Sequence, residues 1–179
     1  MSDNGRPGRW LLAMQGPPGS GKSTLGQAVS RGLGWPLIDK DDVRDLLDDA
    51  NPGLAYDIMF NVVRRQLRQG LSVIADSPLG YRRTYERAAQ IADETGAALA
   101  IIACHCPDEG LWRQRIAARR ALPLPAHHTT DWAAVQAFHR RTAAAGGWAM
   151  THPRLRVDTT RPLPELCAEV VGWLTQQRG

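Results

Sequence analysis

The chain has 179 residues, 43% of them hydrophobic, with 22 lysines and arginines against 18 acidic residues and a formal net charge of +4. That length suits one domain burying roughly 70% of its unfolded surface, and no apolar stretch approaches the ~20 residues that cross a bilayer. The charge excess is small, and it shows neither a like-charge block nor a basic stripe interleaved with aromatics, so nucleic acid is not an expected partner.

Only Lys22 and Lys40 are lysines, so arginine supplies nearly all the positive charge. Its planar fork suits phosphate oxygens. The three cysteines, Cys104, Cys106 and Cys167, are odd in number and lack paired zinc spacing. They read as reduced thiols, and a cytoplasmic location is expected. Residues 1–9 are polar and read as a short flexible lead-in without the apolar core of a secretory signal.

Trp10 to Met14 predicts a buried strand. Gly16-Pro17-Pro18-Gly19-Ser20-Gly21-Lys22-Ser23-Thr24 follows and fits G-x-x-x-x-G-K-[ST], a loop whose backbone N–H groups cradle phosphates. Glycines at 16, 19 and 21 let the chain curl around an anion. Ser23 to Gly32 then predicts a helix with Leu25, Ala28 and Val29 on one face, its positive N-terminus under the phosphates. The motif implies a nucleoside triphosphate, with Lys22 reaching the β- and γ-phosphates and Ser23 ligating Mg²⁺. ATP and Mg²⁺ are the expected cofactors.

Trp35 to Asp39 predicts a second short strand and Val43 to Leu47 the start of a helix that Asn51-Pro52-Gly53 breaks. Ala55 to Gln69 reads as a helix stopped by Gly70, and Leu71 to Asp76 as an apolar strand ending in a carboxylate. Arg82 to Glu94 is helical, Ala98 to Cys104 a buried strand, and Asp108 to Arg120 helical again until Leu122-Pro123-Leu124-Pro125. Asp131 to Ala145 resumes helix and Gly146-Gly147 closes it. Leu155 to Asp158 is the last strand and Leu163 to Gln177 a final amphipathic helix. Five short apolar strands alternating with helices predict one α/β domain, a parallel sheet with helices on both faces.

The loop alone does not separate kinases from GTPases or mechanical ATPases. No Asn-Lys-x-Asp guanine-reading motif is present. Ser77-Pro78 follows Asp76 where a motor usually carries a glutamate that polarises water. These features favour phosphoryl transfer to another molecule. Asp39-Lys40-Asp41-Asp42-Val43-Arg44 lies just past the second strand, where open parallel sheets present their binding crevice. A carboxylate there suits an attacking hydroxyl, and an arginine one turn on suits a substrate. The plainer alternative makes Asp41 or Asp42 a cap or first-turn acid favoured by the helix dipole.

With the loop, this acidic segment, the strand ending in Asp76 and Arg115-Ile116-Ala117-Ala118-Arg119, the chain resembles the small single-domain kinases of the polynucleotide-kinase, zeta-toxin, gluconate-kinase and chloramphenicol-phosphotransferase type. The resemblance covers most of residues 10–175. It implies a three-layer P-loop fold with a five-stranded parallel sheet and a helical lid over about 113–145. It also implies Asp41 as base with Asp39 as the runner-up, Arg44 on substrate, Asp39 supporting Mg²⁺, and Asp76 on Mg²⁺ or substrate. Arg115 and Arg119 would close on ATP, Thr159 would lie near the adenine pocket, and Arg82 and Arg83 would reach into the acceptor pocket, with Arg82 expected on substrate.

The expected activity is transfer of the γ-phosphate of ATP to a hydroxyl of a small molecule such as a sugar, nucleoside or antibiotic. A polynucleotide 5′-hydroxyl kinase and a nucleotide-binding regulatory module are the alternatives, and a zeta-like toxin acting on a nucleotide sugar is a further one. His127 and His128 read as solvent-exposed lid residues. Trp112, Trp132 and Trp148 flank the lid and are candidates for an aromatic pocket wall. Neither the acceptor nor the oligomeric state is legible.

Overall fold

A computed structural model describes residues 8–47, 53–121, 130–144 and 149–177. Five parallel strands, β1 (Trp10–Gln15), β2 (Leu37–Asp39), β3 (Val73–Asp76), β4 (Ala98–His105) and β5 (Arg154–Asp158), form one sheet in the order β2-β3-β1-β4-β5. The helices are α1 (Lys22–Leu33), α2 (Lys40–Arg44), α3 (Leu54–Arg68), α4 (Arg82–Thr95), α5 (Glu109–Arg120), α6 (Trp132–Ala144) and α7 (Leu163–Gln176). Among the described residues no helix is long and apolar enough to cross a membrane.

Alternation along the strands splits the core in two, because successive side chains leave opposite faces of a sheet. Leu11, Ala13, Val73, Ala75, Leu99 and Ile101 point to one face, where Met59, Phe60, Val63 and Leu67 of α3 and Ala88 and Ile91 of α4 cover them. Trp10, Leu12, Met14, Ile74, Ala100 and Ile102 point to the other, against Leu25 and Val29 of α1 and Leu166, Val170 and Leu174 of α7. The central strand β1 is buried on both faces, as a continuous apolar run requires.

Three predicted boundaries shift by two residues or more, one of them at β3, which begins at Val73 and not at the expected Leu71. The helix expected from Val43 to Leu47 begins at Lys40 instead and spans Lys40–Arg44. Asp39 is its N-cap, its Oδ1 accepting the Asp41 N–H at 2.8 Å, so the turn closes directly on a three-residue strand. The strand expected to start at Trp35 is paired only from Leu37. Asn51-Pro52, His127, His128, Gly146-Gly147 and Trp148 lie outside the described residues.

The segment after β3 bends sharply. Leu79, fully buried, holds φ at 44°, a region that residues with a Cβ seldom enter. Its carbonyl accepts a hydrogen bond from Gln15 Nε2 at 3.2 Å. The Pro78 carbonyl in turn accepts the Gly16 N–H at 3.1 Å. The crossing from β3 to α4 thus anchors the first residue of the glycine-rich loop.

Candidate nucleotide and acceptor sites

The glycine-rich loop leaves the C-terminal end of β1 and enters α1 at Gly21, which caps the helix at φ 84°. Gly16 (φ 151°) has no room for a side chain: a Cβ there would lie 2.5 Å from Ser20 Oγ and 2.7 Å from the Cys104 carbonyl oxygen. At Gly19 (φ 76°) it would meet Ile116 Cδ1 at 2.5 Å. Glycine here therefore serves both conformation and close approach.

Side chains from α5 and from the residue after β5 brace the loop. Thr159 Oγ1, just past β5, lies 2.8 Å from the Ser20 carbonyl and 3.0 Å from the His105 carbonyl. Arg115 donates to Thr159 Oγ1 at 3.1 Å and to the Thr159 carbonyl at 2.7 Å. Trp112 Nε1 donates to the Pro18 carbonyl at 2.8 Å, and its ring meets Trp132 edge-on at 5.1 Å. These tryptophans join α5 and α6 to the loop, and neither lines the cavity that Asp41 and Arg44 border.

Two cavities open on either side of this loop. The first, about 620 Å³, is lined by Gly19, Gly21, Lys22, Ser23 and Thr24, with Arg115, Arg119, Thr159 and Arg161 opposite. The second, about 480 Å³, lies between α2, α3, α4 and α6, with Asp41, Arg44, Tyr56, Tyr81, Arg83 and Phe138 in its wall and Pro18 at its edge. Lys22 and Arg119 line both cavities. Whatever spans the two passes between this ammonium and this guanidinium.

The carboxylates divide by depth. Asp76 is fully buried at the end of β3, where its Oδ1 lies 4.0 Å from Lys22 Nζ. Neither of its oxygens has a hydrogen-bond partner. Asp39 is its neighbour across the sheet, the two being paired in β2–β3 register. Burial first, then the Asp76 charge, pushes the Asp39 carboxyl up to about 7. Asp39 lines neither of the two cavities, whereas Asp41, ion-paired to Lys40, lines the second. The structure thus gives the two acids different settings: Asp39 as a half-buried cap paired in register with Asp76, and Asp41 on the cavity surface.

A metal fits this arrangement. Two orphaned, buried Asp76 oxygens next to Lys22, with the half-buried Ser23 following in sequence at the start of α1, suit a hard cation. Among the described residues, no group of three or more His, Cys, Asp or Glu side chains is placed to hold an ion unaided. Magnesium commonly takes only one or two protein ligands and completes its shell with substrate phosphates and water. Cys104 is buried, and burial pushes its thiol up to about 12, so it stays a protonated core thiol.

Most residues singled out from the sequence converge here, with three qualifications. Gly16 and Pro17 line neither cavity and border a third space of about 520 Å³. Arg115 reaches the first cavity with its guanidinium already engaged by Thr159. Arg82 points outward, its side chain 70% exposed and bonded to Glu86, while Arg83 lines the second cavity. Tyr56, Tyr81, Phe138 and Arg141 in the second cavity and Arg161 in the first carry no short motif. An N-terminal position on α4 fits Arg82 and Arg83 alike, and only the helix rotation separates them.

The family model described as an AAA domain, AAA_33, matches residues 11–144. No curated protein matches by sequence. Among solved structures, a candidate kinase from Chloroflexus aurantiacus J-10-fl superposes with a TM-score of 0.73 at 22% identity, covering 97% of this chain and 100% of that one. A gluconokinase from Sinorhizobium meliloti 1021 gives 0.64 at 17% identity over 97% and 95%. The Mycobacterium tuberculosis APS kinase CysC, in complex with AMPPNP and APS, gives 0.61 at 18% identity over 94% and 99%. These likenesses show a shared fold.

Proposed function

We propose, from the premise that this chain belongs to the AAA domain family AAA_33 and has a P-loop kinase-like fold, that it transfers the γ-phosphoryl group of ATP to a hydroxyl of a small molecule. The observation that carries this reading is the pair of cavities meeting at Lys22 and Arg119. A nucleotide-binding module without an acceptor needs only the first. The second, of small-molecule size, opens on the same two cations and carries a carboxylate on its wall.

The loop N–H groups and Lys22 hold the β- and γ-phosphates, and the N-terminal end of α1 adds its dipole. The acceptor oxygen attacks the γ-phosphorus in line, the bond from that phosphorus to the β–γ bridging oxygen breaks, and ADP leaves. Asp41 takes the hydroxyl proton. Arg119 and Lys22 face the charge that spreads over the transferring group. Ser23 and the Asp39–Asp76 pair would hold Mg²⁺, which would neutralise charge on the phosphate oxygens. Helices α5 and α6 cover the junction, and excluding water there limits wasteful hydrolysis. Holding both reactants aligned contributes up to ~7–11 kcal/mol of the barrier reduction in such reactions.

An acceptor screen with ATP tests this, following ADP release and product mass across sugars, nucleosides, antibiotics and oligonucleotides. The expected result is ADP release that rises with one small-molecule class and a product heavier by one phosphoryl group. Tight nucleotide binding with no acceptor-dependent ADP release across the panel would instead support a regulatory module.

A further inference from the structure

The second cavity is strongly cationic for a chain with so small a net charge. Lys22, Lys40, Arg44, Arg83, Arg119 and Arg141 line it, and Asp41 is the one carboxylate among its described lining residues. Three of these cations have evident work. Lys22 and Arg119 face the triphosphate, and Lys40 is paired with Asp41. Arg44, Arg83 and Arg141 remain, one each from α2, α4 and α6.

Five arginines outside the cavity are neutralised by ion pairs, whereas among the described residues Arg31, Arg65, Arg68, Arg154 and Arg156 form none. Arg64 pairs with Glu94, Arg82 with Glu86, Arg87 with Asp57, Arg113 with Glu109, and Arg161 with Glu165 and Glu169. Among the described residues, Arg44, Arg83 and Arg141 form no such pair. The contrast is sharpest on α4. Arg82 and Arg87 are both neutralised, while Arg83 faces the cavity with only the Tyr81 ring beneath it, 5.9 Å from its centroid. Like charges gathered in one recess repel unless an anion joins them, and guanidinium forks match tetrahedral or planar oxyanions.

Resting on the kinase reading above, we propose that the acceptor bears an oxyanion group in addition to its hydroxyl, and that Arg44, Arg83 and Arg141 hold that group within the second cavity. Tyr56, Tyr81 and Phe138 form the aromatic wall for its carbon skeleton, with Tyr81 and Phe138 edge-to-face at 6.2 Å. The site thereby selects phosphorylated, sulfated or carboxylated hydroxy compounds over neutral polyols and rejects polycationic acceptors such as amine-rich antibiotics.

The test uses the full chain saturated with Mg²⁺ and AMPPNP, so that the loop is filled, and titrates it calorimetrically with inorganic phosphate, sulfate and acetate. One further equivalent of anion is expected per nucleotide-loaded protein, with an affinity that falls as salt rises. The double variant R83Q/R141Q, altered at exposed positions and checked by its melting temperature, is expected to weaken that binding about tenfold. Preference for phosphate and sulfate identifies a tetrahedral group, and preference for acetate a carboxylate. No anion binding to the loaded protein, binding unaffected by the double variant, or a best acceptor that is neutral or cationic would overturn the proposal while leaving the kinase reading intact. Failure of AMPPNP to bind at all would defeat both.

Discussion

The two cavities are built by different means. The proposed nucleotide side is built around one short loop, whose glycines and lysine are consecutive in sequence, with Arg115, Arg119, Thr159 and Arg161 opposite. The proposed acceptor side draws on side chains scattered over α1 to α6, from Lys22 to Arg141. A triphosphate looks the same to every enzyme that uses it, so a compact local motif suffices. An acceptor's shape and charge are recorded only where distant helices converge.

Substitutions that separate backbone from side-chain construction sharpen this contrast. The largest effect is expected at Gly16, where a Cβ collides with the Cys104 carbonyl as well as with Ser20. Gly16→Ala should weaken nucleotide binding ~10²-fold, since displacing a binding loop by about 1 Å suffices for that. Fluorescent-ADP titration of the folded variant measures it, and near-native affinity would mean that the loop's close packing is dispensable.

Thr159→Val comes next. It removes the hydroxyl that contacts the Ser20 and His105 carbonyls and receives Arg115. Losing such buried hydrogen bonds costs about 1–2 kcal/mol, or roughly a tenfold loss of nucleotide affinity, with the acceptor KM little changed. An equal rise in both constants would show that the two cavities are not separable.

Asp39 offers a smaller effect of opposite sign. Its carboxyl is raised from an ordinary 3.8 to about 7 in the folded protein. The folded state therefore binds this proton more tightly than the unfolded one. The resulting stabilisation is complete below about pH 4 and is lost as pH rises through about 7. Asp39→Asn keeps an N-cap for α2 and removes the charge facing Asp76. At pH 8, without nucleotide or Mg²⁺, the variant should be more stable by roughly 1–2 kcal/mol, with the gain vanishing near pH 4. Denaturant melts at the two pH values measure it, and a destabilised variant at pH 8 would refute the electrostatic account.

Arg82→Ala should matter least. Its side chain is exposed and pairs only with Glu86, one turn along α4. Such pairs contribute at most about 0.5 kcal/mol, and turnover should stay within about twofold. A large loss of activity would place Arg82, not Arg83, on the acceptor.

The same contrast explains what was legible. The strands were plain because β1, β3 and β4 are short apolar runs buried on both faces, and the phosphate loop was plain because its glycines and lysine act through local geometry. The start of α2 was misjudged because an exposed acid and a capping acid look alike in sequence: Asp39, Asp41 and Asp42 are equivalent until β2 ends and Oδ1 of Asp39 turns onto the next N–H. Arg82 and Arg83 were inseparable for a similar reason. A 100° step around a helix sends one to Glu86 and the other into the cavity. Tyr56, Phe138 and Arg141 gave no signal because their role exists only once α3 and α6 face one another across α4.

The central claim is that Asp41, not the loop, carries the acceptor's half of the chemistry. Comparing wild type with Asp41→Asn tests it, using fluorescent-ADP affinity and acceptor-stimulated ADP release on the same preparations. The account predicts nearly unchanged nucleotide affinity and a kcat lower by ~10²–10⁴-fold. A variant that binds nucleotide normally and phosphorylates its acceptor at the full rate would contradict it.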